Sequence, residues 1–322
     1  MMALDEAELA AIDVGSNAVH LKLVRQDRSG RLVPVLKRRA VIRPGEGAFQ
    51  TGRINKAALG RLVDTLEDWG ELCRARGARV RSIATSAIRD AANQGKVVER
   101  VRRRAGLHLE VISGEEEARL MCLGALAGMP ADVRSLCIDI GGGSTEVAVA
   151  EGEVPVGRWS LGIGALRMSE EFGEQTGSLR ARIAAMRARA ARAVLILPGL
   201  SSLHEGPRRG ALACSGTTRA LVNFAAGDDA SDATAGALSH LVEDLAALGR
   251  RQCERRFGPH RAELILPAAV ILEALCHRLR LDWVRPTRRG VRDGMLIDLA
   301  RELAATRHGH DMGIDQLPRS VA

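Results

Sequence analysis

Hydrophobic residues follow the same order in two distant stretches of the chain. Residues 11–16 and residues 137–142 are each a short apolar run that contains an aspartate and ends in glycine or serine. Short apolar runs bounded by glycine are typical of buried β-strands. In each stretch a second apolar segment follows, then a turn and a third apolar segment. The pattern therefore predicts that two halves of the chain begin with the same β-hairpin.

Helical and strand periodicities alternate in the remainder of both halves. Strand, hairpin, helix, strand and helix in two copies predict two packed α/β domains with a cleft between them. The predicted helices lie at 55–76, 95–104, 180–193 and 235–257, and the predicted strands at 80–85, 109–113 and 210–215.

The domain boundary is predicted at a Gly-Met-Pro break, because glycine and proline interrupt regular structure. It divides the chain into a first domain, 1–128, and a second domain, 129–305. The polar, aperiodic residues 306–322 are expected to form a disordered tail.

Composition limits the class of protein and its ligands. With 322 residues and 46% hydrophobic content, the chain is too long for a disulfide-stapled mini-protein and too apolar for a disordered one. The net charge is +8, and all but four of the 47 basic residues are arginines. Guanidinium groups suit phosphate oxygens, although a solvated surface is the ordinary explanation. An aromatic content of 2% disfavours nucleic-acid binding by base stacking.

Cysteine spacing and the N-terminus indicate the compartment. The six cysteines are far apart and form no C-x-x-C pair, so neither a structural zinc site nor a disulfide framework is predicted. They are expected to be small buried side chains in a reducing compartment. The N-terminus lacks the basic and apolar regions of a signal peptide, and no uncharged run approaches the about 20 residues of a membrane span. We therefore expect a cytoplasmic protein with no membrane partner.

Two glycine-rich loops follow the repeated strands, at residues 13–17 and 139–145. Glycine allows successive backbone N–H groups to point into one concavity, which binds phosphate oxygens. A simple hairpin turn is the alternative for either loop alone, but two copies favour phosphate binding. Asp13 and Asp139 are placed to hold Mg²⁺ directly or through water, and Glu146 could join them or face solvent. A third small-residue loop, 213–218, precedes a helix and is a weaker anion-site signal.

An acidic cluster at 115–117 opens a predicted helix. Ser113 and Glu116 match the S-x-x-E capping box, so Glu116 is expected to bond the Ser113 N–H. Glu115 and Arg119 are spaced for a helix-surface pair. Glu117 is left without a local role. Its carboxylate could deprotonate a water at the cleft, although a solvated helix glutamate is the ordinary alternative.

Basic residues supply further candidates for phosphate binding. Arg89 could bind a phosphate through two hydrogen bonds or pair with Asp90. Arginine clusters at 250–251, 255–256 and 285–292 could guide a polyanion to the cleft, or only keep the surface solvated.

Taken in order, these motifs resemble the Ppx/GppA family of exopolyphosphatases and guanosine pentaphosphate phosphohydrolases, within the sugar kinase/Hsp70/actin superfamily. The resemblance implies two actin-like (ribonuclease H-like) domains, each a mixed five-stranded sheet flanked by helices, around an interdomain cleft. The matching segments are 10–24, 43–47, 82–93, 110–120, 137–149, 160–168, 213–221, 261–275 and 288–296. Long family members carry an additional helical HD-type domain, and this chain resembles the short two-domain form.

The resemblance also implies the residue roles. By position in the motifs, Glu117 corresponds to the catalytic glutamate, and Asp139 and Glu146 to the metal- and water-binding acids, with Asp13 beside them. His20 matches a common histidine that is either packed or active. Phosphate contacts fall on Gly15, Ser16, Asn17, Arg89, Gly141, Gly142, Gly143, Ser144, Thr145 and Gly216. Mg²⁺ is the expected cofactor, with Mn²⁺ as the alternative, and a homodimer is usual in the family.

The expected activity is that of an exopolyphosphatase, which removes the terminal phosphate of inorganic polyphosphate and releases orthophosphate. The first alternative is a phosphohydrolase that converts pppGpp to ppGpp in the stringent response. Few aromatic side chains are present to stack on guanine, which favours polyphosphate. A non-catalytic (p)ppGpp- or polyphosphate-binding regulator and an actin-superfamily kinase are the remaining alternatives.

Overall fold

A computed structural model of the chain describes residues 7–173, 177–198, 209–227 and 231–311. The described residues form two β-sheets covered by helices. The strands are β1 (Glu8–Val14), β2 (Val19–Gln26), β3 (Leu32–Ala40), β4 (Arg79–Ala84), β5 (Leu109–Val111), β6 (Arg134–Ile140), β7 (Thr145–Glu151), β8 (Val154–Leu161), β9 (Gly210–Ala213), β10 (Ala233–Thr234) and β11 (Trp283–Pro286).

The helices account for most of the remaining described residues. A 3-10 turn, Val194–Ile196, follows the helix Leu179–Ala193. The helices are α1 (Ala48–Thr51), α2 (Lys56–Ala75), α3 (Ser86–Arg89), α4 (Gln94–Ala105), α5 (Gly114–Ala125), α6 (Ala165–Glu171), α7 (Leu179–Ala193), α8 (Gly216–Ala226), α9 (Ala235–Ser239), α10 (Leu241–Phe257), α11 (Pro259–Leu279) and α12 (Val291–Asp311).

Both sheets are mixed, as predicted. The first has the order β3-β2-β1-β4-β5, and the second has the order β10-β11-β9-β6-β7-β8. The second sheet therefore has six strands among the described residues, and the expectation of five was wrong. The additional strand, β10, pairs through only two residues with β11, and so short a segment carries no periodicity in the sequence.

The predicted doubling of the hairpin is confirmed in its register. Asp13 pairs with His20 across β1 and β2, and Asp139 pairs with Glu146 across β6 and β7. In both halves the third strand adds antiparallel with one register shift, after Leu23 in the first and after Val149 in the second. His20 thus occupies in the first half the place that Glu146 occupies in the second.

The last helix returns to the first domain. Residues Met295 and Leu296 of α12 pack in one apolar cluster with Leu9 and Ala11 of β1. Residues 291–305, which belong to the predicted second domain, thus cover a sheet face of the first half. A Cβ on Gly294 would lie 2.0 Å from the Leu120 carbonyl oxygen, so α12 and α5 approach as closely as glycine permits.

The predicted disordered tail is partly helical. Helix α12, which packs on β1, continues to Asp311 and so reaches into the segment 306–322 that was expected to be disordered. Residues 312–322 lie outside the described part of the chain. All six cysteines are free thiols, and five of them are buried. No helix in the described ranges has the length and apolar character to cross a membrane.

Candidate active site

The two glycine loops close in the same way. The Gly15 N–H donates to the Ala18 carbonyl at 3.1 Å, and the Gly141 N–H donates to the Ser144 carbonyl at 3.0 Å. Each bond folds the residues between two strands into a tight turn. The described residues offer no acceptor to the N–H groups of residues 16, 17, 142 and 143.

The loops also lie against each other. A Cβ on Gly142 would be 3.1 Å from Ser16 Cβ, and one on Gly143 would be 2.7 Å from Ser16 Oγ. Real Cβ atoms essentially never approach another heavy atom to 2.7 Å, and 3.1 Å is tighter than most Cβ contacts, so glycine at 143 is what permits the contact between the domains. The loop that ends β1 and the loop that ends β6 therefore face one cleft.

A cavity of about 280 Å³ lies between the loops. It is lined by residues of both domains, and three of the predicted site residues, Arg89, Thr145 and Glu146, do not line it. The predicted residues that line it are Asp13, Gly15, Ser16, Asn17, Glu117, Asp139, Gly141, Gly142, Gly143, Ser144 and Gly216. The structure thus brings most of the predicted set together.

Two of the three remaining residues lie behind the cavity wall. The Thr145 hydroxyl donates to the Ile163 carbonyl at 2.7 Å, in the buried hairpin. Glu146 is 1% exposed and accepts a hydrogen bond from Ser160 Oγ at 2.8 Å. The alternative that Glu146 faces solvent was wrong, because α5 packs against β6, β7 and β8.

Glu117 is positioned by the first turn of α5. The Ser113 side chain caps the helix by accepting from the Glu116 N–H at 3.1 Å, as predicted. The reciprocal bond was predicted wrongly, because the Glu116 carboxylate instead accepts from Arg119 Nε at 2.7 Å. Arg119 therefore pairs with Glu116, and the predicted partner Glu115 is exposed.

Arg89 holds the catalytic candidate. Its Nη1 donates to Glu117 Oε2 at 3.3 Å and to the Ile112 carbonyl at 3.1 Å, and its Nε lies 3.8 Å from an oxygen of Asp90. The guanidinium stands behind Glu117 and does not line the cavity. Burial and the neighbouring Glu146 raise the pKa of Glu117 well above its usual range, and Arg89 opposes that rise.

The acids of the two hairpins share one electrostatic environment. Burial and then the charge of Asp13 raise the pKa of Asp139 to about 7. Burial also raises the pKa of Asp13, and Arg292 opposes both shifts. Burial and then Asp139 raise the pKa of Glu146 to about 8. Burial is the largest cause of these shifts, so the charged forms of the three carboxyls are poorly solvated, and a bound cation would stabilise them.

The side chains present fit a hydrated divalent cation. Within the described ranges no three His, Cys, Asp or Glu side chains converge closely enough to hold a metal ion by themselves. Mg²⁺ ordinarily takes one or two carboxylates and keeps several waters, so it does not need such a cage. Asn17 Oδ1 is buried in the cavity wall and accepts no hydrogen bond from the described residues. The assignment of Asp13, Asp139 and Glu146 to a metal site stays a prediction.

His20 lines the cavity beside Asp13. Burial, Arg292 and Arg39 lower its pKa to about 3. The imidazole is therefore neutral near pH 7, and it adds no charge to the site.

The third loop, 213–218, is hydrogen-bonded to the start of the second glycine loop, 139–145. Ser215 caps α8 by accepting from the Thr218 N–H at 3.0 Å, and its hydroxyl donates to the Ile140 carbonyl at 3.1 Å. Thr218 Oγ1 accepts from the Ile140 N–H at 3.2 Å. These bonds fix the start of α8, and with it Gly216, beside Asp139.

Six arginines line the cavity that the sequence motifs did not single out for the site. Three of them lie in the basic cluster at 285–292, which the sequence already showed. Arg39 lies on β3, where no sequence pattern pointed to the site. The six are Arg39, Arg219, Arg261, Arg288, Arg289 and Arg292. The other two basic clusters do not line the cavity: Arg250 pairs with Glu254 at 2.9 Å, and Arg256 stacks on Phe224.

One arginine fastens the second loop to the first domain. Arg167 Nε donates to the Gly143 carbonyl at 2.8 Å, and Nη2 donates to Ser86 Oγ at 3.2 Å and to Asp90. The guanidinium also lies 4.1 Å from the ring centroid of Phe49. Because Gly143 belongs to the second domain and the other three residues to the first, Arg167 couples the loop geometry to the closure of the cleft.

Comparisons with known proteins agree with this geometry. The sequence model of the Ppx/GppA phosphatase family matches residues 23–303. Exopolyphosphatase 1 of Mycobacterium tuberculosis is 32% identical, with 90% of this chain and 87% of the relative covered. Exopolyphosphatase 2 of the same organism is 31% identical, with 91% and 98% covered. The crystal structure of an exopolyphosphatase from Cytophaga hutchinsonii superposes with a TM-score of 0.81 at 22% identity, with 92% and 98% covered, and supports the fold.

Proposed function

The chain belongs to the Ppx/GppA phosphatase family, and we propose that it is an exopolyphosphatase, a hydrolase that removes the terminal phosphate of inorganic polyphosphate as orthophosphate. The observation that carries the proposal is that the Glu117 carboxyl lines the same cavity as both glycine loops. A base for water and a cradle for phosphate are the two parts that such hydrolysis requires. The curated relatives named exopolyphosphatases, which match over nine-tenths of this chain, support the same activity.

The terminal phosphate would bind between the loops. Four unpartnered backbone N–H groups, at residues 16, 17, 142 and 143, would donate to its oxygens. Donors fixed by tight turns need no reorganisation as charge develops on the transferring group, which is how preorganised sites lower a barrier.

Glu117 would take the proton from the attacking water. A carboxylate with a raised pKa is a stronger base, and catalytic efficiency is best when that pKa lies near the working pH. Arg89 supports this role in two ways, since it fixes one carboxylate oxygen and limits the rise of the pKa. The water would attack in line with the bond to the departing polyphosphate.

Asp13 and Asp139, with Glu146 behind them, would hold Mg²⁺, and Mn²⁺ is the alternative ion. When bound, the ion would neutralise charge on the phosphate oxygens. The excess of buried carboxyls and the unpartnered Asn17 Oδ1 support this assignment.

Polyphosphate is favoured over pppGpp as the substrate. Among the described residues, the cavity wall contains no Phe, Tyr or Trp side chain on which guanine could stack, whereas it contains six arginines. Conversion of pppGpp to ppGpp, and with it a role in the stringent response, remains the second candidate. We also propose a cytoplasmic homodimer. The six free thiols support a reducing compartment, and the family resemblance supports the dimer.

Phosphate release from three substrates tests the proposal. Long-chain polyphosphate, tripolyphosphate and pppGpp are compared side by side with Mg²⁺, using wild-type protein and Glu117→Gln. We expect wild-type protein to release phosphate from long-chain polyphosphate and tripolyphosphate faster than from pppGpp, and Glu117→Gln to release far less from each. Faster phosphate release from pppGpp than from polyphosphate would make pppGpp the proposed substrate. No release from any of the three would contradict the hydrolase activity and favour a binding role.

A further inference from the structure

Five of the arginines that line the cavity have guanidinium groups without a hydrogen-bond or ion-pair partner among the described residues. They are Arg39, Arg219, Arg261, Arg288 and Arg292. Of the five, Arg292 is the one whose charge acts on the carboxyls of Asp13 and Asp139. The contrast with nearby arginines is clear, because Arg43 pairs with Glu263 and Arg167 pairs with Asp90.

The five guanidiniums form a row that crosses the cleft. Burial, followed by repulsion from Arg292, lowers the pKa of Arg39, and burial and Arg39 lower that of Arg261. Burial and the charges of Arg288, Arg261 and Arg292 lower the pKa of Arg219. Arg292 thus acts on Arg39 of the first domain and on Arg219 of the second, and all five guanidiniums belong to residues that line one cavity. Unpaired like charges held together destabilise the free protein, and a polyanion would relieve that repulsion.

The row continues on the first domain along β3. Arg39 pairs across the sheet with His20, which pairs with Asp13, so its side chain lies on the cavity face. Alternate residues of a strand share a face, so Lys37 lies on that face about 7 Å further along. Lys37 is exposed, and its cross-strand neighbour Lys22 is already paired with Asp293 on α12. Lys37 therefore extends the row of free cations out of the cavity.

We propose that Arg39 and Lys37 on the edge strand β3 form a binding path for the distal phosphates of a linear polyphosphate whose terminal phosphate lies between the glycine loops. The inference rests on the proposed function and adds the direction in which the substrate leaves the site. The path would give the protein a preference for long polymers, because tripolyphosphate is too short to contact a cation that lies beyond the cavity.

The neighbouring Arg38 provides a matched control. It lies on the same strand with the same exposure class, but one position away and thus on the opposite face. The variants Lys37→Gln, Arg39→Gln and Arg38→Gln are compared, and Arg288→Gln tests the other end of the row. Melting temperatures are measured to check that all four variants fold.

The readout is the ratio of kcat/KM for long-chain polyphosphate to kcat/KM for tripolyphosphate at fixed ionic strength. We expect the ratio to fall about two- to fivefold in Lys37→Gln, the range for one exposed charge contact, and to stay constant in Arg38→Gln. Arg39→Gln, at the cavity end of the path, should raise KM for both substrates. In a plot of log KM for the long polymer against log salt concentration, the slope should decrease by about one at most for each cation removed.

Three outcomes overturn the path. The ratio could stay constant in both Lys37→Gln and Arg288→Gln; it could fall equally in Lys37→Gln and Arg38→Gln, which would indicate only bulk surface charge; or it could fall in Arg288→Gln and not in Lys37→Gln, which would direct the chain over the second domain. Titration calorimetry of long-chain polyphosphate in the Glu117→Gln background answers the same question without turnover. If wild-type protein releases no phosphate, the proposed activity fails, while lost affinity in the Lys37→Gln variant would still support the path.

Discussion

Arg89 donates a hydrogen bond to the carboxyl group of Glu117 at 3.3 Å and is itself anchored to the Ile112 carbonyl. The contact joins two segments that are 28 residues apart in sequence. It gives Arg89 influence over both the position and the charge of the proposed base. Arg89 is therefore a positioning residue in this structure, and it does not line the cavity.

Removal of the proposed base should abolish most turnover and leave binding intact. We expect Glu117→Gln to lower kcat by ~10²–10⁴-fold, the usual range for loss of a general base, with polyphosphate affinity retained. Glu115→Gln is the matched control, since Glu115 lies on the same helix turn and is exposed. Equal rates in the two variants would remove Glu117 from the mechanism.

The Arg89 contact should set the acid limb of the pH profile. Glu117 acts as a base only when it is deprotonated, and burial and Glu146 raise its pKa. Activity should therefore fall as pH drops through a value well above the usual glutamate range. Arg89→Gln removes the cation that favours the charged carboxylate, so the limb should move to higher pH. A limb at the same pH in both proteins, measured as kcat/KM against pH, would contradict this account.

The acids of the second hairpin should govern the metal requirement. We expect Asp139→Asn to raise the Mg²⁺ concentration for half-maximal activity by ~10–100-fold, as loss of a partner in a metal site does. Asp132→Asn, an exposed aspartate just before β6, serves as the control. An unaltered Mg²⁺ titration in Asp139→Asn would refute the role.

Glu146 should make the metal-free protein less stable as pH rises. Burial and Asp139 raise its pKa from near 4.5 to about 8, so the folded state holds a proton that the unfolded chain has lost. The stability from this group is present below about pH 4.5 and is lost as pH rises towards 8. In Glu146→Gln the melting temperature should decline less between pH 5 and 8.5, by about 2–4 °C for each kcal/mol recovered. Parallel declines in the two proteins would exclude Glu146 as the cause.

The contact between the glycine loops should not tolerate a side chain. A Cβ on Gly143 would lie 2.5 Å from both Phe49 Cζ and Ser86 Oγ. Gly143→Ala should therefore destabilise the protein by about 1–3 kcal/mol, as overpacking does, and should lower kcat by displacing the loop. Gly60→Ala on α2 is the control, because nothing lies within 4 Å of the added methyl group and alanine favours the helix. If the two variants have the same melting temperature, the loops are not in close contact.

The sequence predicted the local parts of the site well. The two hairpins, their aspartates and the Ser113 cap depend on neighbours within a few residues, and such patterns are readable from the chain. The electrostatic partners were less predictable. Glu116 was expected to complete its capping box, but Arg81 and Asp298 approach from other elements and draw Glu116 and Arg119 into one network. Partners from distant segments leave no signal at a fixed spacing.

The amino-acid sequence by itself determined three features: the β-hairpin that occurs in both halves, the two glycine-rich loops and the family of the chain. These follow from hydrophobic periodicity, from the placement of glycine and from the order of the motifs. The tertiary structure decided which residues face the cavity. Helix α12 returns to cover β1 and carries Arg292 to the acids of both halves, and β3 brings Arg39 to the same space. Burial and the approach of distant charges depend on how the two sheets pack, and that packing joins residues more than two hundred positions apart.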